Sequence, residues 1–253
     1  MAGLGRRFTE AGYSQPKPLL PIHGLPMFSV VLANLLTDQV GSVTLVAQEA
    51  WQLSDSVRRM RAALAQDVQL IEIDYVTGGP ADTIELARPL LDPDLPVVTG
   101  NSDQYVDADL GAFYGLLDDP AIAGAILTME DDHPKWSYAA TDPSGDVTLV
   151  REKEVISPYA TVGIYGFQSA RLMFEGFDAM RAASDTVNGE YYVAPSYNRL
   201  IERGLRVTTA NLGPISKVMH GLGVPSDYEG FTRSHAAVEA AAKTSALLGE
   251  AVG

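Results

Sequence analysis

The sequence predicts an α/β fold built on a mixed β-sheet within one domain, 1–253. Three observations lead there. Short β-branched runs alternate with amphipathic helical stretches through the N-terminal part, the pattern of parallel strands joined by crossover helices. A chain of 253 residues with 46% hydrophobic side chains can bury one large core. One strongly apolar run, LPVVTGNSD, ends in polar side chains, as strands of such sheets do where they reach a ligand.

Taken in order, residues 1–26 read as a loop punctuated by glycine and proline. Residues 27–37 (MFSVVLANLLT) read as a helix, and Pro26 just ahead of it suits a helix start. A strand over 42–48 is followed by a helix over 51–66, whose wet face carries Arg58, Arg59 and Arg61. A second strand covers 68–75, a tight turn 77–82 and a helix 83–91. The buried strand 95–103 completes this part. The middle is richer in strands: 121–130, a hairpin over 136–152 around Pro143-Ser144-Gly145, and 160–167. Helices over 169–184 and 191–203 lead to a last strand at 205–213. A turn-rich tract and a helix near 227–247 finish the chain. No linker or repeat interrupts it, so 1–118, 119–231 and 232–253 read as parts of one domain with an inserted β subregion.

The formal charge of −14, from 18 basic and 32 acidic residues, argues against nucleic-acid binding. A few clustered cations can still focus positive potential on a small phosphorylated ligand. No apolar run approaches the ~18 residues of a membrane span, so no membrane insertion is expected. The absence of cysteine excludes disulfides and thiolate metal sites, and fits a cytoplasmic enzyme. An apolar stripe on the C-terminal helix offers a surface for a homo-oligomer.

The segment MAGLGRRFTEAGYSQPKPLLPIHG holds most of the functional signal. Around Ala2, the glycines Gly3 and Gly5 let the backbone turn and present N–H groups to phosphate oxygens. Arg6 and Arg7 add forked donors, and Lys17 adds a mobile point charge held between Pro16 and Pro18. In the run GNSDQYVDADL, Asp103 follows an apolar strand. There it acts either as a turn former or as a carboxylate that holds Mg2+ against phosphate oxygens. Asn101 and Gln104 would orient its surroundings or touch substrate. Asp107 and Asp109 read as capping or surface residues. In YVTGGPADTIELA, Gly78 and Gly79 permit close backbone approach, while Asp82 and Thr83 either cap the next helix or face a ligand. By composition alone, Arg151-Glu152-Lys153-Glu154 is a solvated hairpin edge.

Together these segments resemble the sugar-phosphate nucleotidyltransferases, from residue 1 to about 231. The resemblance implies a Rossmann-like, mixed-sheet nucleotidyltransferase fold (GT-A-like) and transfer of a nucleotidyl group to a phosphorylated sugar or polyol, with Mg2+ as cofactor. It implies catalytic roles for Lys17, Arg7 and Asp103, with Asp103 on the metal. It places Gly78, Gly79 and the helix after them at the base and sugar pocket. Glu152 and Lys153 match the family's Glu-Lys pair, toward sugar hydroxyls and phosphate respectively. Gly163 and Tyr165 match the glycine and aromatic of the following strand. Glu190 matches a Gly-Glu helix start, with Tyr191, Tyr192 and Tyr197 either closing the acceptor pocket or packing in the core. Lys217 would reach a phosphate. His220 and Gly221 stand where the family has a second metal-binding aspartate, and Asp227 reads as a cap for the final helix. The other histidines, His23, His133 and His235, show no ligand spacing. Two other readings are a glycosyltransferase of related fold and a non-catalytic nucleotide-sugar-binding protein.

In the resembling family a hydrophobic first strand precedes the glycine loop, and this sequence opens directly in the loop. A missing central strand leaves ladder groups unpaired and removes core. The expectation is a higher melting temperature for a version extended upstream by about 5–10 residues, the length of one strand. Equal melting temperatures would contradict it.

Overall fold

A computed structural model describes residues 5–249. The chain forms two compact units, one from Met1–Val76, Asn101–Asp107 and Met219–Gly253, the other from Thr77–Gly100 and Ala108–Val218.

The first unit contains a βαβ element. Strands Ser42–Gln48 and Asp67–Ile73 pair in parallel, and helix Ser54–Ala63 connects them. The helix is shorter than the sequence suggests because the preceding residues Glu49–Trp51 form a 3-10 turn that ends at Gln52 with φ 52°. Val57 and Met60 of the helix pack with Ala47, Val68, Phe28 and Leu248 into one apolar cluster. Among the described residues, Ser42–Gln48 has a ladder partner along one edge only.

Helix Met27–Leu35 forms where expected. Its residues Met27, Val30 and Val31 join Phe8, Ile22, Tyr105, Leu222 and Phe231 in a second cluster. Two further departures from the sequence reading lie in this unit. Strand Met219–Gly221, three residues without visible alternation, pairs antiparallel with Gln104–Val106 inside the tract read as turns. The C-terminal helix is two helices, Pro225–Thr232 and His235–Leu248. The break falls at Ser234, whose hydroxyl accepts from Ala237 N at 3.2 Å. Ser234, not Asp227, therefore caps the final helix. Asp227 lies in the first turn of the preceding one. Such a cap contributes on the order of 1 kcal/mol.

The second unit is built on a mixed sheet. Tyr159–Phe167 runs through its middle, with Gly124–Glu130 antiparallel along one side. Its other side is shared between Ser137–Thr141, at Ala160, and Val97–Gly100, from Ile164 to Phe167. Val147–Glu152 pairs outside Ser137–Thr141, closing the expected hairpin. Val207–Pro214 supplies the parallel pairing, to Gly124–Glu130. Helix Ala170–Ala182, capped by Ser169, covers the sheet with Met173, Phe174, Phe177 and Met180. The expected helices 83–91 and 191–203 are each interrupted. Helix Pro80–Glu85 gives way to a 3-10 turn at Arg88–Leu90, where Pro89 cannot donate. Tyr197–Ile201 is preceded by a 3-10 turn at Ala194–Ser196 that contains Pro195.

Tyr197 belongs to the core. Its ring stacks on Phe167 at 4.5 Å, and its hydroxyl donates to the carbonyls of Gly166 (2.8 Å) and Ala125 (3.1 Å). Asn198 uses its amide twice on one residue: Val150 N donates to Oδ1 at 2.8 Å, and Nδ2 donates to Val150 O at 2.9 Å. This pair replaces a strand partner for Val147–Glu152. Asn198→Ala would leave two buried backbone groups unpaired. The expected loss is about 2–3 kcal/mol of unfolding free energy, measured by urea denaturation. A loss below ~0.5 kcal/mol, the scale of an ordinary surface change, would contradict this role.

Candidate active site

In the first unit the functional residues converge on Asp103. Gly5, with φ +62°, begins helix Arg6–Glu10, and a Cβ there would touch Lys17 Cβ at 3.4 Å. Phe8 anchors the helix by burying its ring edge-on against Tyr13 and Tyr228. Arg6 and Arg7, just before Phe8 in this short helix, stay exposed. Lys17 opens a 3-10 turn after Pro16. Its Nζ donates to Asp103 Oδ2 at 2.7 Å, with the two side chains only 18% and 29% exposed. Proline on both sides fixes the backbone direction from which Lys17 reaches out.

Asp103 is held by its backbone as well. Leu222 N donates to Asp103 O at 2.8 Å, and a Cβ at Gly223 would sit 3.1 Å from Asp103 Oδ2. Just after it, Val106 is gripped by Asn34, with Val106 N donating to Oδ1 at 2.9 Å and Nδ2 donating to Val106 O at 2.8 Å. Asn101 Nδ2 donates to Gln104 Oε1 at 3.2 Å. Asp109 Oδ1 accepts from Gly111 N at 2.9 Å in a local turn, while Leu110 is the residue at the cap position of the helix that follows. His220 packs against Tyr105 and Phe231, and burial lowers its pKa. Neutral and set among aromatic rings, it adds packing next to Tyr105. Among the described residues no three His, Asp or Glu side chains gather as a metal-binding group.

The second unit brings together a different set. Glu152 ends its strand with a side chain only 5% exposed. Its Oε2 accepts a hydrogen bond from Ser137 Oγ, on the residue paired across the strands. Burial raises the Glu152 pKa, while Ser137 and Lys153 pull it back. Lys153 has φ +58°, an uncommon conformation for a side-chain-bearing residue. Its Nζ donates to Tyr192 Oη at 2.7 Å, and Tyr192 Oη donates to Glu190 Oε2 at 2.7 Å. Burial and Glu190 push the Tyr192 phenol well up, so it keeps its proton. Glu152, Lys153 and Glu190 thus share one polar cluster, joined by Ser137 and Tyr192. Glu154 turns to Arg151 at 4.0 Å instead.

Gly163, with φ +74°, sits in the bulge between Thr161 and Tyr165. The buried Tyr165 hydroxyl lies 2.9 Å from Thr161 Oγ1, and burial pushes its pKa up to about 12. The Gly78-Gly79 turn has a packing reason. A Cβ on Gly79 would sit 2.6 Å from Tyr191 N and O, and that backbone is hydrogen-bonded to the turn through Gly78 O and Ala81 N. Asp82 does not cap its helix. Its carboxylate is bound by Arg181, at 3.0 Å from Nε and 2.9 Å from Nη2. Ala2 and Gly3 lie outside the described residues, as does the side chain of Lys217.

Asn34, Ser137 and Gly223 were not singled out by the sequence. Each acts through a partner distant in sequence, and no motif spacing marks them.

A family model for nucleotidyl transferases matches residues 1–193. The chain belongs to the nucleotidyl transferase family. The bifunctional protein GlmU of Burkholderia multivorans (strain ATCC 17616 / 249) is 28% identical over 226 residues, which cover 83% of this chain and 45% of GlmU. The nucleotidyltransferase chain therefore spans less than half the length of the curated relatives it matches. The nucleoside-diphosphate-sugar pyrophosphorylase from Vibrio cholerae RC9 has a similar structure, with TM-score 0.79, 25% identity, and coverage of 92% of this chain and 98% of that one. The inositol-1-phosphate CTP transferase from T. maritima shares the fold, with TM-score 0.71 at 13% identity over 96% and 93% of the two chains. Both bear out the mixed-sheet, Rossmann-like fold expected from the sequence.

The raised pKa of Glu152 has a consequence for stability. A carboxyl that holds its proton longer when folded makes the folded state less stable as pH rises through that window. Replacing it with neutral Gln removes this dependence. The melting temperature of Glu152→Gln relative to wild type should therefore climb between about pH 4, near the ordinary carboxylate value, and pH 7. A flat or falling difference would show that Ser137 and Lys153 outweigh burial.

Proposed function

We propose that this nucleotidyltransferase joins a nucleoside triphosphate to a sugar 1-phosphate, or to a similar phosphorylated sugar or polyol, and releases pyrophosphate. The observation that carries the reading is the contact between Lys17 Nζ and Asp103 Oδ2 at 2.7 Å. A triphosphate site needs fixed positive charge and a carboxylate able to share a cation with phosphate oxygens, and this pair supplies both.

The residues fit Mg2+. Asp103 offers hard oxygen donors, and the missing side chain of Gly223 keeps space beside Oδ2. A single protein carboxylate is within the usual pattern, since Mg2+ takes its remaining ligands from water and phosphate. When bound, Mg2+ would neutralise charge on the triphosphate.

The chain's own residues do the positioning. The opening segment, through Gly5 and Arg6, cradles phosphate oxygens. Arg7 stabilises the departing pyrophosphate, and Lys17 moves from Asp103 toward the α-phosphate. Gly78, Gly79 and Asp82 shape the turn on the nucleotide side. Glu152 and Glu190 accept from acceptor hydroxyls, and Lys153, Lys217, Asn101 and Gln104 hold the acceptor, with Gly163 and Tyr165 shaping the strand beneath. An acceptor phosphate oxygen forms the new bond to the α-phosphorus. The bond from that phosphorus to the bridging oxygen breaks, and its electron pair leaves on pyrophosphate. The nucleophile is already anionic, so no general base is required, and rate comes from alignment and charge neutralisation.

Pyrophosphate release from ATP, CTP, GTP, UTP and dTTP, each with a panel of sugar phosphates, tests the reaction. Lys17→Ala should cut turnover roughly a hundredfold, about 3 kcal/mol of barrier, with an unchanged circular dichroism spectrum. Wild-type turnover in that variant would refute the role. Nucleoside diphosphate release from a nucleotide sugar, without pyrophosphate from any triphosphate, would favour a glycosyltransferase instead.

A further inference from the structure

Glu152 is almost fully buried, yet its carboxylate is only half engaged. Oε2 accepts from Ser137, while Oε1 faces Lys153 Nζ at 3.9 Å, beyond hydrogen-bond length. Oε1 therefore keeps an accepting capacity that neither Ser137 nor Lys153 takes up. Ser137 is itself buried, at 6% exposure, and Ser137 and Glu152 are direct cross-strand partners. The Ser137 hydroxyl also stands within hydrogen-bonding reach of the buried Tyr165 phenol. Next to it lies the Thr161–Tyr165 hydroxyl pair, whose tyrosine stays protonated. The donors around Glu152 thus occupy one oxygen from the sheet side and leave the other without a close partner.

We propose that Ser137 is a positioning residue for acceptor recognition: its hydroxyl fixes the orientation of the Glu152 carboxylate, with Oε1 left to accept from an acceptor hydroxyl. The inference rests on the reading of Glu152 as an acceptor-binding residue. Ser137 touches no acceptor in this scheme and acts through Glu152. Losing its donation leaves the buried carboxyl free to rotate and lets it hold its proton to higher pH, where it no longer accepts from a hydroxyl.

The isosteric pair Ser137→Thr and Ser137→Val separates the hydroxyl from the shape of the site. Both variants are assayed with glucose 1-phosphate, galactose 1-phosphate, mannose 1-phosphate and inositol 1-phosphate, using the triphosphate that supports release. The acceptor KM of Ser137→Val should rise about tenfold, the effect of one hydrogen bond to a charged group. Its triphosphate KM should stay unchanged, and the pH at which acceptor binding fails should move up. Ser137→Thr should restore both acceptor KM and pH profile. Equal acceptor KM and pH profiles for the two variants, while Glu152→Gln is impaired, would overturn the role of Ser137 alone. An unchanged acceptor KM in Glu152→Gln, or no release with any of these acceptors, would overturn the reading of the site and this inference with it.

Discussion

Lys17 and Asp103 are 86 positions apart, and their charged atoms meet at 2.7 Å in a site where neither side chain is more than a third exposed. That contact ties the glycine- and proline-rich opening loop to the turn after the strand Val97–Gly100. Each charge is partly withdrawn from water, so each needs the other, and removing one would strand its partner. The pair is kept short by the backbone on both sides. Pro16 and Pro18 restrict the approach of Lys17, while Leu222 N and the bare Cα of Gly223 set the position of Asp103. An ammonium beside the carboxylate also holds, without ligand, the charge balance that a cation and phosphate would bring. In the proposed reaction Lys17 is released to the α-phosphate only when other positive charge reaches Asp103.

The strand segments that carry the candidate residues are short or lie at a sheet edge, and both are completed by an asparagine. Asn34 grips Val106 through both polar atoms of its amide, three residues after Asp103. Asn198 grips Val150 in the same way, two residues before Glu152. A carboxamide has a donor and an acceptor spaced like a peptide group, so it can stand in for a strand neighbour where no strand is available. This satisfies buried backbone groups without covering the residues that follow. Lys153 then breaks from extended geometry into the left-handed region. That turn ends the strand and directs the lysine to Tyr192 and Glu190.

Much of this was legible in sequence because it is local. Strands such as 42–48 announce themselves by β-branched residues, and the segments around Lys17, Asp103 and Glu152 by composition and order. Element ends were less legible. The helix read as 51–66 is Ser54–Ala63 because Glu49–Trp51 prefers a tighter turn, and the helix read as 227–247 breaks at a serine cap. What stayed hidden depends on contacts distant in the chain. Gly79 reads as a site of close backbone approach, but only the fold shows that the backbone approaching it is that of Tyr191. Asp82 looks like a helix cap, but Arg181 takes its carboxylate. Ser137 carries no motif signal, because its role depends on the register that sets it opposite Glu152.

The distribution of charge reconciles an acidic chain with a phosphate-directed reaction. In the second unit most arginines are already matched: Arg88 and Arg181 to Glu85 and Asp178, Arg199 to Asp185 and Glu202, Arg203 to Glu175, Arg206 to Asp146. These pairs neutralise one another over a few ångströms and leave little field for a ligand. Among the described residues Arg6 and Arg7 have no such partner and stand exposed on a helix fixed by Phe8. The net charge of −14 is therefore a poor guide to what the opening loop attracts. A local potential depends on which cations remain unmatched, and here two of them, Arg6 and Arg7, stand shortly before Lys17.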